Sequence, residues 1–346
     1  MRKIAVLMGG GKGTRFWPMS VEAQPKQFLK ITSGKSMLQE TAERIKPVVG
    51  EENIWVVTTS SLAERVKREL PFIGDRIIEE PFGRNTAPAV LLSMRVLVEK
   101  YGDFNVAFLP ADHHIRPAEA FAHQVEACFQ AAREEIVTIG IPPSRPETGY
   151  GYIKVEKNSS RTIGGFTFYR ALGFTEKPSL ERAQEMLKEG NYFWNSGIFV
   201  WNAQIFLQKL AKFSPRFYNI YEEMGRRDLV EVYRRVEPMP IDKAFMEALP
   251  YFLMSRAEFS WSDLGSWHSL WEVLEKDARG NVIRGDATLH ETENTLVMTT
   301  KKTVVIGVDD LAIVETPHGL LVMRRDASPH LKKIIEKEVN KNDKMG

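Results

Sequence analysis

Residues 4–26, IAVLMGGGKGTRFWPMSVEAQPK, constrain this chain more than any other stretch. Ile4 to Met8 form an unbroken apolar run, which predicts a strand buried in a parallel sheet. Gly9, Gly10, Gly11 and Gly13 follow at once. Glycines there let the backbone take positive φ and turn its N–H groups toward an anion. Lys12, Arg15 and Lys26 place three cations near the same loop. A strand that opens into a glycine loop rimmed by cations is suited to phosphate. Two common phosphate loops do not fit the register. The loop of P-loop NTPases needs Gly-Lys-Ser/Thr, but Lys12 is followed by Gly13. The dinucleotide fingerprint needs a glycine where Thr14 or Phe16 stands.

Beyond the loop, strands alternate with helices. Strands are predicted at residues 53–58, 77–78, 105–109 and 136–141, and helices at 36–46, 60–70, 86–100 and 121–133. That alternation predicts a mostly parallel sheet flanked by helices, with ligands at the carboxyl ends of its strands. From Pro142 to Trp201 the chain turns to strands rich in Tyr, Phe, Gly and Trp, and residues 203–235 read as helical. Short β stretches punctuated by Gly, Asp and Asn begin near Asn281, and a closing helix is predicted over 329–339. The expected division is a catalytic domain at 1–278 and a small β domain at 279–346, the latter compatible with a short left-handed β-helix.

With 346 residues, 43% of them apolar, the chain can build one large core and a smaller unit. A net charge of +2 argues against nucleic acid as a partner. Cys128 stands alone, which rules out an intrachain disulfide and fits a cytoplasmic setting. The apolar run behind Arg2 and Lys3 is too short for a signal peptide, and no stretch is long enough to span a membrane.

GGGKGTRFWP followed by PKQF at 25–28 resembles the signature of sugar-1-phosphate nucleotidylyltransferases, and the PKQF ending resembles their mannose-1-phosphate guanylyltransferase branch. The resemblance implies a Rossmann-like fold of the nucleotide-diphospho-sugar transferase type and transfer of GMP from GTP to mannose 1-phosphate. It also implies catalytic roles for Arg15 and Lys26, and nucleotide contacts from Gly9, Gly10, Gly11, Gly13, Thr14, Glu80, Asn85, Thr86 and Asp112. In EPFGRNTAPA at 80–89, Asn85 is an expected helix N-cap. A second reading of the same stretch is base recognition. Guanine offers N1–H and an N2 amine, and Glu80 and the Asn85 carbonyl are acceptors for them.

Asp112 ends a buried strand in LPADHH, and Asp263 lies in WSDLGSW. Two carboxylates completed by phosphate oxygens and water suit Mg²⁺, and the resemblance places the metal on this pair. His113 and His114 lack zinc spacing and read as structural. ETGYGY at 147–152, FTEKP at 174–178 and WNSG at 194–197 join polar side chains to glycine or aromatics, as sugar sites do. By resemblance Gly151, Glu176 and Asn195 hold the hexose, and Lys177 its phosphate. IDKAFME at 241–247 also matches the family, without a derivable role. Two departures stand out. The family's fused cupin-type isomerase domain is not expected in this chain. Pro317-His318-Gly319 also occupies a turn where an aspartate is expected. The oligomeric state is not legible, a homodimer being left open.

Overall fold

The computed structural model describes residues 1–11, 14–21, 24–328, 330–331, 333–335 and 337. It packs as two compact units. One comprises Met1–Gly10, Leu38–Ala111 and Ile115–Trp261, and the other Gly11–Met37, Asp112–His114 and the chain from Ser262 onward.

The larger unit is built on a ten-stranded sheet. Its strands are β1 (Lys3–Met8), β2 (Ile54–Thr59), β3 (Ile77–Glu80), β4 (Asn105–Pro110), β5 (Val137–Ile141), β6 (Gly151–Val155), β7 (Arg161–Ile163), β8 (Phe166–Glu176), β9 (Tyr192–Asn202) and β10 (Phe252–Arg256). They run in the order β3-β2-β1-β4-β9-β5-β10-β8-β6, with β7 added to β8. The predicted parallel pattern holds for β3-β2-β1-β4. Ile4, Ala5, Val6 and Leu7 of β1 are fully buried, as a strand covered on both faces requires. The aromatic-rich strands between residues 151 and 202 instead run antiparallel to their neighbours.

Helices α1 (Met37–Val49), α2 (Ser60–Glu69), α3 (Thr86–Tyr101) and α4 (Ala118–Ala131) connect the first strands, and α5 (Leu180–Glu189) precedes β9. The helical run expected over 203–235 is three helices, α6 (Ala203–Phe213), α7 (Pro215–Met224) and α8 (Leu229–Arg235). The break at Ser214 has a plain cause. Pro215 has no N–H to continue α6, yet its fixed φ suits the first position of α7. A short helix, α9 (Ile241–Ala244), follows.

In the smaller unit, α10 (Trp267–Val273) opens with a capping box at Ser266 and Ser269. Six short strands follow: β11 (Val282–Arg284), β12 (Ala287–His290), β13 (Leu296–Met298), β14 (Thr303–Ile306), β15 (Leu311–Thr316) and β16 (Gly319–Arg324). Val282, Leu296 and Ala312 stack in parallel register, as do Ala287 and Thr303, so the chain winds in coils. The winding ends where β16 turns back antiparallel on β15. Leu264, Trp267, Leu270, Val282, Leu296 and Val314 form one core with Phe16, Leu29 and Ile31. Of the closing helix expected over 329–339, residues 330–331, 333–335 and 337 are described and are helical, while the tail at 340–346 lies outside the described residues. Among the described residues no helix is long and apolar enough to cross a membrane.

Candidate active site

In the larger unit the glycine loop begins at the carboxyl end of β1. The Gly9 N–H donates to Val57 O at 2.8 Å, and the Thr58 hydroxyl donates to Gly9 O at 3.0 Å. A Cβ at Gly9 would lie 3.1 Å from a Val56 methyl, so only glycine fits there without a shift. Gly10 lies beside the Glu80 carboxyl, a Cβ there falling 3.8 Å from Oε2. Glu80 is 4% exposed and accepts a hydrogen bond from the Tyr233 hydroxyl at 3.2 Å. Burial, only partly offset by that bond, pushes its carboxyl up to about 7. The Phe82 ring meets Tyr233 edge-on at 5.9 Å, and the Arg84 Nε–H donates to Tyr233 O.

Asn85 caps α3, as expected. It sits at φ 69°, and its Oδ1 accepts from the Thr86 N–H at 2.8 Å. One lone pair of the expected base acceptor is therefore already used. Thr86 is occupied too, since its hydroxyl accepts from the Ile241 N–H at 2.8 Å.

A second cluster in the same unit gathers the expected sugar residues. Gly151 and Glu176 are direct cross-strand partners. A Cβ at Gly151 would fall 2.4 Å from the Phe174 ring and 2.8 Å from Glu176 Oε2, so the glycine is what lets the carboxylate approach that strand. Lys177 pairs with Glu176 and holds φ 47°, a conformation costly for a residue with a side chain. Asn195 is more constrained than the sequence implied. Its Nδ2 donates to Asp242 Oδ1 at 2.7 Å, and its Oδ1 accepts from the Gly197 N–H at 3.2 Å. Burial first, and then the Glu176 charge, push Asp242 up to about 6. Asp242 and Tyr233 are the functional candidates the sequence missed. IDKAFME marked Asp242 without a role, and nothing local marks Tyr233, 153 residues from Glu80.

The smaller unit holds Arg15 and Lys26. Gly11 takes φ 110°. Lys12 and Gly13 lie outside the described residues. Thr14 opens a 3-10 turn over Thr14–Phe16, from which Arg15 is exposed and Phe16 buried. Lys26 follows Pro25 on a second 3-10 turn and is 6% exposed. Its ammonium donates to Asp112 Oδ2 at 2.9 Å and to the Asp263 carbonyl at 2.5 Å. Burial works against an ionised Asp112, but Lys26 and His113 outweigh it and hold the carboxyl below its usual range. The Asp263 side chain accepts from the Gly265 N–H at 2.9 Å. Between them Leu264, fully buried, is held at φ 44°. Strain of this kind persists where the surroundings fix the backbone, often at functional sites.

Lys26 therefore holds Asp112 and the Asp263 main chain at one ammonium. Among the described residues no group of three or more His, Cys, Asp and Glu forms a cation cage. The donor set on offer is two hard carboxylates, which fits a magnesium ion that keeps water and takes phosphate oxygens, and does not fit structural zinc.

Comparison with known proteins finds relatives along nearly the whole chain. A nucleotidyl transferase family model matches residues 4–280, and a MannoseP isomerase/GMP-like beta-helix domain model matches 280–337. A mannose-1-phosphate guanylyltransferase of Escherichia coli is 36% identical over 96% of this chain and 75% of its own length. One of Klebsiella pneumoniae is 38% identical over 96% of this chain and 73% of its own. A crystal structure from Thermus thermophilus, described as a mannose-1-phosphate geranyltransferase, superposes with a TM-score of 0.87 at 30% identity, covering 97% of this chain and 99% of that one. The chain belongs to the nucleotidyl transferase family, in the company of the mannose-1-phosphate guanylyltransferases.

Proposed function

We propose that the chain transfers GMP from GTP to α-D-mannose 1-phosphate, releasing diphosphate and GDP-mannose. The observation that carries this reading is Lys26, a nearly buried ammonium held between Asp112 and the Asp263 main chain, on a family-matching PKQF turn. The names of the relatives supply the substrate pair.

The incoming phosphate oxygen is already anionic, so its attack on the α-phosphorus needs no general base. The difficulty is repulsion. Two unit charges 4 Å apart at an effective dielectric of 20 interact by about 4 kcal/mol. The residues proposed for the work are therefore cations. Arg15, exposed on its turn, offers a planar fork for the departing β- and γ-phosphates. Two N–H groups of Lys26 are engaged, and the third is directed to the α-phosphate. Lys177 takes the sugar phosphate, while Glu176 and Asn195 hold hexose hydroxyls, with Asp242 fixing the Asn195 amide. Glu80 accepts from the guanine edge, and the backbone N–H groups of Gly10 and Gly11 line the phosphates, the Gly9 N–H being already engaged by Val57 O. Asp112 and Asp263 would hold a magnesium ion, which when bound supplies further neutralisation of phosphate charge.

The test is diphosphate release with every pairing of GTP, ATP, UTP and dTTP with mannose 1-phosphate and glucose 1-phosphate. Turnover highest for GTP with mannose 1-phosphate is the expected result. A preference for another pair would make the chain a sibling enzyme of the same fold, and release with no pair would leave a binding role.

A further inference from the structure

We infer that the turn at residues 316–319 of the β domain is a positioning element for the segment that carries Arg15, acting through Trp17 and Pro18. The inference rests on the phosphate role proposed above for Arg15. Two consecutive carbonyls next to that residue are held by side chains from far along the chain. Trp267 Nε1–H donates to Trp17 O at 3.2 Å, and the Thr316 hydroxyl donates to Pro18 O at 3.2 Å. The same hydroxyl accepts from the His318 N–H at 3.1 Å, which closes the turn.

Gly319 completes the grip. It sits at φ 150°, and a Cβ there would lie 2.8 Å from Trp17 Cζ2 and 3.0 Å from Cη2. The indole thus rests on bare backbone. Gly319, the last residue of the Pro317-His318-Gly319 departure from the expected turn, is what makes room for it. On the other side of Arg15's turn, Phe16 is fully buried and meets Trp267 edge-on at 4.9 Å. Arg15 itself is exposed, while its neighbour Phe16 is the residue buried in that packing. Where its guanidinium goes is therefore decided by its neighbours, and two of those are set by the β-domain turn. A displacement of about 1 Å in a positioning group can cost on the order of a hundredfold in rate.

The experiment measures kcat, KM and melting temperature for Gly319→Ala, Thr316→Val, Gly319→Ala with Trp17→Phe, and Arg15→Ala. Gly319→Ala is expected to lower kcat at least tenfold with KM for the sugar phosphate little changed. Trp17→Phe in the same chain should recover much of that loss, because a phenyl ring is smaller than the indole at the point of collision. Backbone strain alone would not be relieved that way. Thr316→Val, which keeps the side-chain shape, should lower kcat several-fold at an unchanged melting temperature, and it decides the matter alone if Gly319→Ala does not fold. Wild-type kcat in Thr316→Val and Gly319→Ala, or no recovery in the double variant, overturns the inference. Full activity in Arg15→Ala would instead overturn the phosphate role and leave the enzyme's reaction untouched.

Discussion

The acids of the two units are tuned in opposite directions. Asp112, in the smaller unit, has Lys26 at 2.9 Å and is held ionised. Glu80 and Asp242, in the larger unit, are pushed by burial toward neutrality, to about 7 and about 6. Their partners differ accordingly. Glu80 has a phenol donor, and Asp242 has an amide donor and a second carboxylate nearby. On the proposed roles, groups that handle phosphate and metal need a fixed charge. Groups that read the uncharged edge of a base or a sugar hydroxyl need a hydrogen-bonding pattern, and a poised carboxyl supplies one. A protein with this contrast should respond to charge removal in one unit and to pH in the other.

The largest effect is expected in the cationic region. Lys26→Ala and Arg15→Ala should each cost about a hundredfold or more in kcat, the scale of a lost electrostatic donor, while the protein stays folded. Near-normal turnover in Lys26→Ala would break the comparison at its charged end. Asp263→Asn should shift the magnesium dependence of the rate to higher concentration, and an unchanged titration would remove Asp263 from the metal site.

The poised region is tested next. In Asp242→Asn, KM for mannose 1-phosphate should rise roughly tenfold with a smaller change in kcat, since a hydrogen bond to a charged acceptor is lost. A kcat loss with KM unchanged would assign Asp242 elsewhere. The smallest effect concerns Glu80. Between about pH 4.5 and 7 the folded carboxyl keeps a proton that the unfolded chain has shed, so its contribution to stability falls as pH rises through that window. Guanine binding that uses the ionised form releases that proton, so GTP affinity should rise with pH up to about 7 and then level off. Glu80→Gln should flatten both profiles and relax the preference for guanine. Identical profiles in the two proteins would mean that Glu80 is not the acceptor.

What the sequence disclosed about the fold follows from how locally each feature is written. β1 was legible because five apolar residues run straight into glycines, and α3 because Asn85 and a proline-glycine turn mark its start. The long-range partners were not legible in the same way. Lys26 and Asp112 were each singled out, but nothing in either motif says that one neutralises the other across 86 residues. Asn195 was placed in a sugar site, while its dependence on Asp242 waits on the packing of α9. The helix break at Ser214 is also written locally, in Pro215, whose missing N–H cannot continue α6.

The start of α3 ties two kinds of selectivity together. Its first residues hold the segment leading into α9, with Thr86 Oγ1 accepting from the Ile241 N–H and the Ala87 N–H donating to Met239 O at 3.0 Å. The start of α3 that follows Asn85 thus shares two hydrogen bonds, one through the Thr86 side chain and one through the Ala87 N–H, with the backbone that leads to Asp242. On the proposed roles, nucleobase choice and hexose choice are not separate dials. A substitution that tilts the start of α3 to admit another base would drag the sugar grip with it, so variants selected for a new nucleotide should arrive with altered tolerance for the sugar as well.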